Sequence, residues 1–360
     1  MRTLLFTLEY PPFKGGIANY YGHLAQNWPL GESITILHNN RQEIIKSGQS
    51  LAWLPAIFTL WRKIKTNKID QLLVGQILPL GTIAYFLAWF KPLRYSVFLH
   101  GMDFIYALKK SRKRWLTGLI LRRAEKIICA NSYVANQVRT FQIKLDRKIV
   151  VITPGVGSLP PEISARGAKE LEERYLLTGK LVIFSLGRLV RRKGVDQVIK
   201  ALIGLPSEFQ ERLIYVVAGL GPDQEYLHNL VPPNYKEKIY FLGEISEEEK
   251  WTWLNRSDIF IMPSRNISGD VEGFGIVYLE ANLCAKPVIA GDSGGVRDAV
   301  IDGYSGLLVD PHNLEAIRRA IIRLVEDQPF REILGKQGRE RVVKEFNWPK
   351  KAAEIVKLLS

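Results

Sequence analysis

Short apolar runs rich in Val, Ile and Leu recur along the 360 residues, and amphipathic segments separate them. The first series reads RTLLFTL (2–8), SITILH (33–38), QLLVG (71–75), YSVFLH (95–100), KIICA (126–130) and KIVVI (148–152). A second reads LVIFSLG (181–187), LIYVVAG (213–219), KIYFLG (238–243), SDIFIMP (257–263), KPVIAG (286–291) and GLLVD (306–310). Near-continuous apolar strands alternating with helices make parallel sheets covered on both faces. A chain of this length exceeds one ordinary core. The polar segment PPEISARGAKELEER (160–174) falls between the two series. The pattern predicts two doubly wound, Rossmann-like α/β domains.

That architecture decides how the pentapeptide GDSGG (291–295) is read. In isolation it resembles the nucleophile loop of a trypsin-like serine protease, with Ser293 as nucleophile. Such proteases are antiparallel barrels held by disulfides, whereas here GDSGG follows the strand KPVIA and precedes VRDAV. It is a predicted strand-to-helix turn in which Gly294 and Gly295 let the backbone turn sharply. The only cysteines, Cys129 and Cys284, sit in apolar stretches, which suits a reducing compartment. Five scattered histidines offer no metal-ligand spacing, so no metal is expected. MRTLLFTLEYPP lacks the pattern of a signal peptide. ILPLGTIAYFLAWF (77–90) is shorter than the roughly 20 residues of a spanning helix.

Charge is distributed unevenly. Residues 1–168 hold 23 Lys and Arg against 8 Asp and Glu, while residues 169–360 hold 27 against 28. A basic half points to an anionic partner, either a membrane surface or nucleic acid. KKSRKRWLTGLILRRAEK (109–126) combines Lys109, Lys110, Arg112, Lys113, Arg114, Arg122 and Arg123 with Trp115 and the apolar run LTGLIL. WLPAIFTLWRKIKTNK (53–68) repeats the theme with Trp53 and Trp61. Helices of this kind lie on anionic bilayers. A nucleic-acid binder would also use cations beside aromatics, but would leave the motifs below unexplained.

The densest chemistry lies in SGDVEGFGIVYLEANLCAKPVIAG. Glu272 precedes Gly273-Phe274-Gly275, which opens a predicted helix at Ile276, and Glu280 lies about a turn and a half inside it. Exposed N–H groups at a helix start bind anions, and glycines let the backbone come close. Two flanking carboxylates would repel a phosphate but would accept hydrogen bonds from hydroxyls on either side of it. A nucleoside diphosphate sugar has that layout: ribose diol, diphosphate, sugar hydroxyls.

The Glu272-to-Glu280 element resembles that of the family-4 retaining glycosyltransferases, which have the GT-B fold. EYPPFKGGIANY (9–20) resembles their glycine-rich N-terminal loop, FLHG (98–101) their central histidine motif and GRLVRRKGVD (187–196) their basic diphosphate loop. AGLGPDQEYL (218–227), FLGEIS (241–246) and EFNWPKKAAEIV (345–356) follow in the family's order. The resemblance implies an acceptor domain over 1–165, a nucleotide-sugar domain over 166–346, and a last helix, 347–360, crossing back to the first. The donor site would lie in the cleft between the domains.

The resemblance also implies roles. Gly15 and Gly16 would approach the diphosphate, and Arg188 and Lys193 would neutralise the leaving phosphate. Glu280 would hold the ribose, and the backbone near Ile245 would face the base. Glu272, with backbone from Gly273, Phe274, Gly275 and Ile276, would hold the donor sugar. His100 would lie by the reacting centre. Transfer would retain configuration without a metal, and the resemblance implies no cofactor beyond the donor substrate. GDP-mannose is the first expected donor and a lipid-linked or glycolipid acceptor the expected partner, with no nucleic acid. That implies a cytoplasmic enzyme peripherally bound to the inner face of the membrane. A UDP-sugar enzyme with a soluble or polysaccharide-precursor acceptor is the alternative, and a catalytically silent membrane-binding relative is the reading outside catalysis. Two departures stand out: Val296-Arg297-Asp298 follows Gly294-Gly295 where the family often has x-Pro-Glu, and Arg191 and Arg192 leave open which cations touch phosphate.

Overall fold

The computed structural model describes residues 1–13, 15–40, 54–90, 93–157 and 165–360. Lys14, Trp53 and the first residues of the polar connecting segment lie outside the described residues. The chain forms two compact units, Met1–Gly157 with Phe346–Ser360, and Ser158–Glu345.

The first unit runs β1 (Arg2–Thr7), α1 (Gly16–Gln26), β2 (Ser33–His38), α2 (Leu54–Thr66), β3 (Gln71–Val74), α3 (Leu80–Phe90), β4 (Arg94–Leu99), α4 (Met102–Leu108), α5 (Ser111–Arg123), β5 (Ile127–Cys129), α6 (Ser132–Phe141) and β6 (Ile149–Val151). The sheet is parallel, in the order β2-β1-β3-β4-β5-β6. Successive side chains of a strand point to opposite faces, and β1 shows the consequence. Leu4 and Phe6 join the core under α2, α3 and α5, while Leu5 joins a second core with Tyr20, Tyr21 and Phe98.

The second unit runs α7 (Ala165–Arg174), β7 (Leu181–Leu186), α8 (Val195–Ile203), α9 (Ser207–Gln210), β8 (Leu213–Ala218), α10 (Gln224–Asn229), β9 (Ile239–Gly243), α11 (Glu247–Arg256), β10 (Ile259–Met262), α12 (Ile276–Leu283), β11 (Val288–Gly291), α13 (Val296–Ala299), β12 (Gly306–Val309), α14 (Leu314–Glu326) and α15 (Gln328–Glu345). Its order, β9-β8-β7-β10-β11-β12, is that of a doubly wound dinucleotide-binding sheet. The twelve strands among the described residues coincide with the apolar runs read from the sequence, with β4 starting one residue earlier, at Arg94. In such sheets ligands bind beyond the carboxyl ends of the strands where strand order reverses. Those points are β1/β3 in the first unit and β7/β10 in the second.

The last helix, α16 (Trp348–Leu359), returns to the first unit. Asn347 caps it, its side chain accepting from the Lys350 amide at 3.2 Å, and Val156 donates to the Phe346 carbonyl at 2.8 Å. Trp348, Ala352, Ile355 and Leu359 then complete the core on the α1 face, with the Trp348 ring 5.1 Å from that of Tyr20. Truncating a buried Trp costs about 3–5 kcal/mol. Trp348→Ala should therefore strip hydrogen-exchange protection from β1 and β3 while β7 and β8 keep theirs. Equal loss in both sheets would contradict this placement of α16.

Candidate functional site

At the switch point of the second unit, the loop after β7 carries Arg188 to Lys193 and the loop after β10 carries Glu272. The two loops meet through charge. Glu272 Oε2 accepts from Lys193 Nζ at 2.6 Å and from Arg192 Nη1 at 2.7 Å, and Arg192 Nε lies 3.1 Å from Asp270. Burial works to raise the Glu272 carboxyl, but the Lys193 ammonium and Arg192 guanidinium outweigh it and hold the group below the usual carboxylate range. Glu272 is thus a buried, ionised acceptor beside a phosphate-binding type of loop.

The remaining cations of that loop divide by partner. Arg191 stacks on the Tyr226 ring at 3.2 Å and lies 3.6 Å from Asp223. Arg188 is exposed and makes no ion pair with any described residue. Arg192 and Lys193 therefore both fasten Glu272, Arg191 fastens α10, and Arg188 is the cation of this loop with no ion-pair partner among the described residues. Behind them, the Arg265 guanidinium bonds Asp196 at 2.9 Å with both side chains buried, and the Arg265 amide donates to the Arg192 carbonyl at 2.8 Å.

Glu272 leads into α12 through Gly273, Phe274 and Gly275. Gly275 caps the helix with φ +83°, and a Cβ there would collide with the Tyr278 ring. The Tyr278 hydroxyl donates to the Met262 carbonyl at 2.7 Å, fixing the start of α12 to the end of β10. GDSGG closes the same site from beneath. Gly294 has φ +60°, a Cβ there would collide with the Glu272 carbonyl oxygen, and Gly295 donates to that oxygen at 3.0 Å. Ser293 thus belongs to a buttress of the Glu272 backbone. The departure at Arg297 forms an exposed clasp, its guanidinium 2.5–2.6 Å from Asp292 across the turn. Asp298 uses its carbonyl to accept from Arg341 at 2.7 Å.

Glu280 lies on α12 with Tyr278, Leu279, Ala281 and Asn282 buried around it. Its Oε1 accepts from Lys250 Nζ on α11 at 2.8 Å, a partner that sequence reasoning missed. Ile245 is half-buried just before α11, whose first turn is locked by a Ser246–Glu249 capping box.

In the first unit, Gly15 and Gly16 stand at the start of α1, close to the β1/β3 switch point, and the Glu9 carboxylate packs against Gly15. His100 ends β4. Its Nε2 lies 2.7 Å from the Tyr21 hydroxyl, which donates its one proton to the Gly75 carbonyl at 2.6 Å. Nε2 must then carry a hydrogen, leaving Nδ1 as an acceptor. Burial lowers the ring to about 4, so it is neutral at physiological pH. Asp103 accepts from the His100 and Gly101 amides at 3.0 and 2.9 Å through Oδ1. Burial pushes its carboxyl up to about 6 against those bonds.

The basic surface differs from its sequence expectation in one respect. Lys109, Lys110, Arg112, Lys113, Arg114, Trp115, Arg122 and Arg123 are all exposed. The run LTGLIL, however, turns inward: Thr117, Gly118, Ile120 and Leu121 pack under α3 and α4. Helix α5 therefore shows cations and one Trp, not an apolar face. Arg123 also donates to the Ala88 carbonyl, and Arg114 stacks on Phe141 at 5.3 Å. Exposed aromatics lie nearby in the fold on α2 and α3, at Phe58, Phe86, Trp89 and Phe90, the last 80% exposed. Trp61 is half-buried against the core. Among the described residues no helix is long and apolar enough to cross a membrane, and no cluster of His, Cys, Asp or Glu has metal-binding form.

The His100 assignment has a signed pH consequence. The unfolded ring takes a proton near pH 6.5 and the folded ring only near 4, so acidification through that window removes roughly 3 kcal/mol of its contribution. Asp103 acts oppositely, protonating in the folded state near 6 and unfolded near 3.8. Imidazole 15N spectra should show His100 as the neutral Nε2–H tautomer at pH 5.5, and acidification from pH 6.5 to 4 should cost the wild type more stability than it costs His100→Asn. A His100 ring that titrates near 6.5 would contradict the geometry.

Comparison with known proteins bears on the family and the fold. The description "Glycosyltransferase Family 4" matches residues 16–157 and "Glycosyl transferases group 1" matches residues 168–341. A Methanocaldococcus jannaschii protein named as a glycosyltransferase is 31% identical over 240 residues, covering 67% of this chain and 59% of that relative. The GDP-mannose-dependent alpha-(1-6)-phosphatidylinositol monomannoside mannosyltransferase of Mycolicibacterium smegmatis is 28% identical, over 99% of this chain and 98% of its own. Among solved structures, Anabaena HepE in complex with UDP superposes with a TM-score of 0.80 at 18% identity, over 100% of this chain and 99% of that one, a likeness of fold. The chain belongs to the family-4 glycosyltransferases, GT-B enzymes that take their sugar from a nucleotide-sugar donor.

Proposed function

We propose that the protein transfers mannose from GDP-mannose, with retention of configuration, to a hydroxyl of a lipid-linked or glycolipid acceptor at an anionic membrane surface. The observation that carries the reading is the Lys193–Glu272 pair at the β7/β10 switch point. A nucleotide sugar needs a cation for its phosphate and, a few ångströms away, an acceptor for its sugar hydroxyls. Lys193 with Arg188 supplies the first, the amides at the start of α12 add to it, and ionised Glu272 supplies the second. Glu280 takes the ribose diol, and the backbone at Ile245 meets the base. In the first unit, Gly15 and Gly16 are assigned to the diphosphate, and His100 offers a neutral Nδ1 acceptor to a sugar or acceptor hydroxyl.

As the glycosidic bond breaks, negative charge grows on the departing β-phosphate. Fixed cations stabilise that charge more than they stabilise the bound donor, which is what lowers a barrier. The leaving phosphate then serves as the base for the acceptor hydroxyl, so the route requires neither a metal nor a second carboxylate as nucleophile. Mannose is favoured by the likeness to the mycobacterial mannosyltransferase, whose name also gives a phosphatidylinositol-based acceptor. Membrane docking is supported by the exposed cations of α5 and the aromatics of α2 and α3. Each Lys or Arg near an acidic bilayer is worth about 1 kcal/mol, and the aromatic rings suit the headgroup region.

GDP-mannose should raise the melting temperature of the wild type above the shifts given by UDP-glucose, UDP-galactose and UDP-N-acetylglucosamine, and Glu280→Ala should lose that gain. A larger shift with a UDP-sugar would replace the donor assignment. Lys193→Ala should lower turnover by about 10²–10³-fold, in the range found on removing one transition-state donor. The triple variant Arg112→Glu, Lys113→Glu, Arg114→Glu should release the protein from phosphatidylserine vesicles while its donor-induced shift persists. Retained vesicle binding would remove α5 from the docking surface.

A further inference from the structure

Resting on the assignment of Glu280 to the ribose, we propose that Lys250 is a positioning residue that holds the Glu280 carboxylate for the ribose diol and joins it to the base-facing turn. Lys250 Nζ donates to Glu280 Oε1 at 2.8 Å and lies 2.7 Å from Glu247. The two partners differ in kind. The Lys250 and Glu280 side chains are only 12% and 17% exposed, whereas Glu247 is 81% exposed and shares its charge with water. Burial works to lower the ammonium, but Glu280 and Glu247 outweigh it and keep Lys250 charged.

The chemistry explains why a ribose-binding carboxylate would need such a partner. A carboxylate on a helix side has several rotamers, and a diol reads only one of them. The Lys250 contact occupies Oε1 and leaves Oε2 without a partner among the described residues, an acceptor in a fixed place. Lys250 also sits one turn beyond Ile245. The capping box locks that turn, with Ser246 N donating to Glu249 at 2.8 Å and Glu249 N to Ser246 Oγ at 3.2 Å. The Trp251 ring closes over Nζ at 4.7 Å. Base-facing backbone and ribose acceptor are thereby one rigid piece, built from α11 and α12 of the second unit.

A plain brace between two helices would lower stability when cut but would not read the ribose. Calorimetric titration of GDP and UDP, each beside its 2′-deoxy counterpart, separates the two. Hydrogen bonds to a charged group are worth about 1.5–3 kcal/mol, so the wild type should prefer the ribonucleotide by about 10-fold or more. Lys250→Met should shrink that ratio to about 3-fold or less, and Lys250→Arg should restore most of it. If Lys250→Met does not fold, Lys250→Gln is read in its place. A ratio unchanged in Lys250→Met but lost in Glu280→Gln would overturn the proposal and leave the ribose assignment standing. A ratio that survives Glu280→Gln, or that is absent from the wild type, would overturn both.

Discussion

The arrangement of the second unit depends on one buried carboxylate held by two cations. Glu272 comes from the loop after β10, Arg192 and Lys193 from the loop after β7, and these strands are neighbours where the sheet reverses its order. A carboxylate at this depth is costly unless paired, and removing one partner of a buried pair costs about 3–5 kcal/mol. The contact therefore does two things at once. It closes the switch point mechanically, and it keeps a buried carboxylate ionised beside the basic loop. The buried Arg265–Asp196 pair and the Arg265-to-Arg192 backbone bond repeat the connection one layer deeper.

The first unit is organised on another principle. Its switch point carries no cation cluster among the described residues: the Gly75 carbonyl, the Tyr21 hydroxyl and an uncharged imidazole meet there, with the Glu9 and Asp103 carboxyl groups beside them. Burial sets the protonation state of His100, and Tyr21 sets its tautomer. The cations of α5 are kept on the outside, where water screens them. The excess of positive charge seen in the first half of the sequence is thus a surface property, apart from the surroundings of His100.

Much of this was legible beforehand, for physical reasons. Buried parallel strands leave runs such as LVIFSLG and SDIFIMP that few other structures explain, so every strand was readable. The placement of Glu272 and Glu280 about the start of α12, and of Lys193 in the loop after β7, was legible because they sit at fixed distances from glycines that the turns require. Lys250 was not, since nothing in EEEKW distinguishes a buried lysine from the solvated charges beside it. Arg192 and Arg191 could not be told apart by spacing alone; a ring at Tyr226 and a carboxylate at Asp270 separate them, and both are remote in sequence. LTGLIL misled for the converse reason. An apolar run beside cations looks the same whether it faces lipid or the protein's own α3 and α4.

GDSGG shows how far a short motif can be from the meaning it has elsewhere. Its glycines are required here because the turn presses against the Glu272 carbonyl, where a Cβ at 294 has no room. Its Asp292 is held by Arg297, so the residue that departs from the family's usual turn supplies a new clasp at the surface. Arg341, from α15, donates to the Asp298 and Ala299 carbonyls and holds the short helix after the turn. The chain from α15 through α13 and GDSGG to Glu272 is continuous. It gives the acceptor carboxylate a backbone fixed from below while its side chain is fixed from the side by Arg192 and Lys193. A carboxylate held on both counts has little freedom left to lose in any further contact, which is preorganisation in the physical sense.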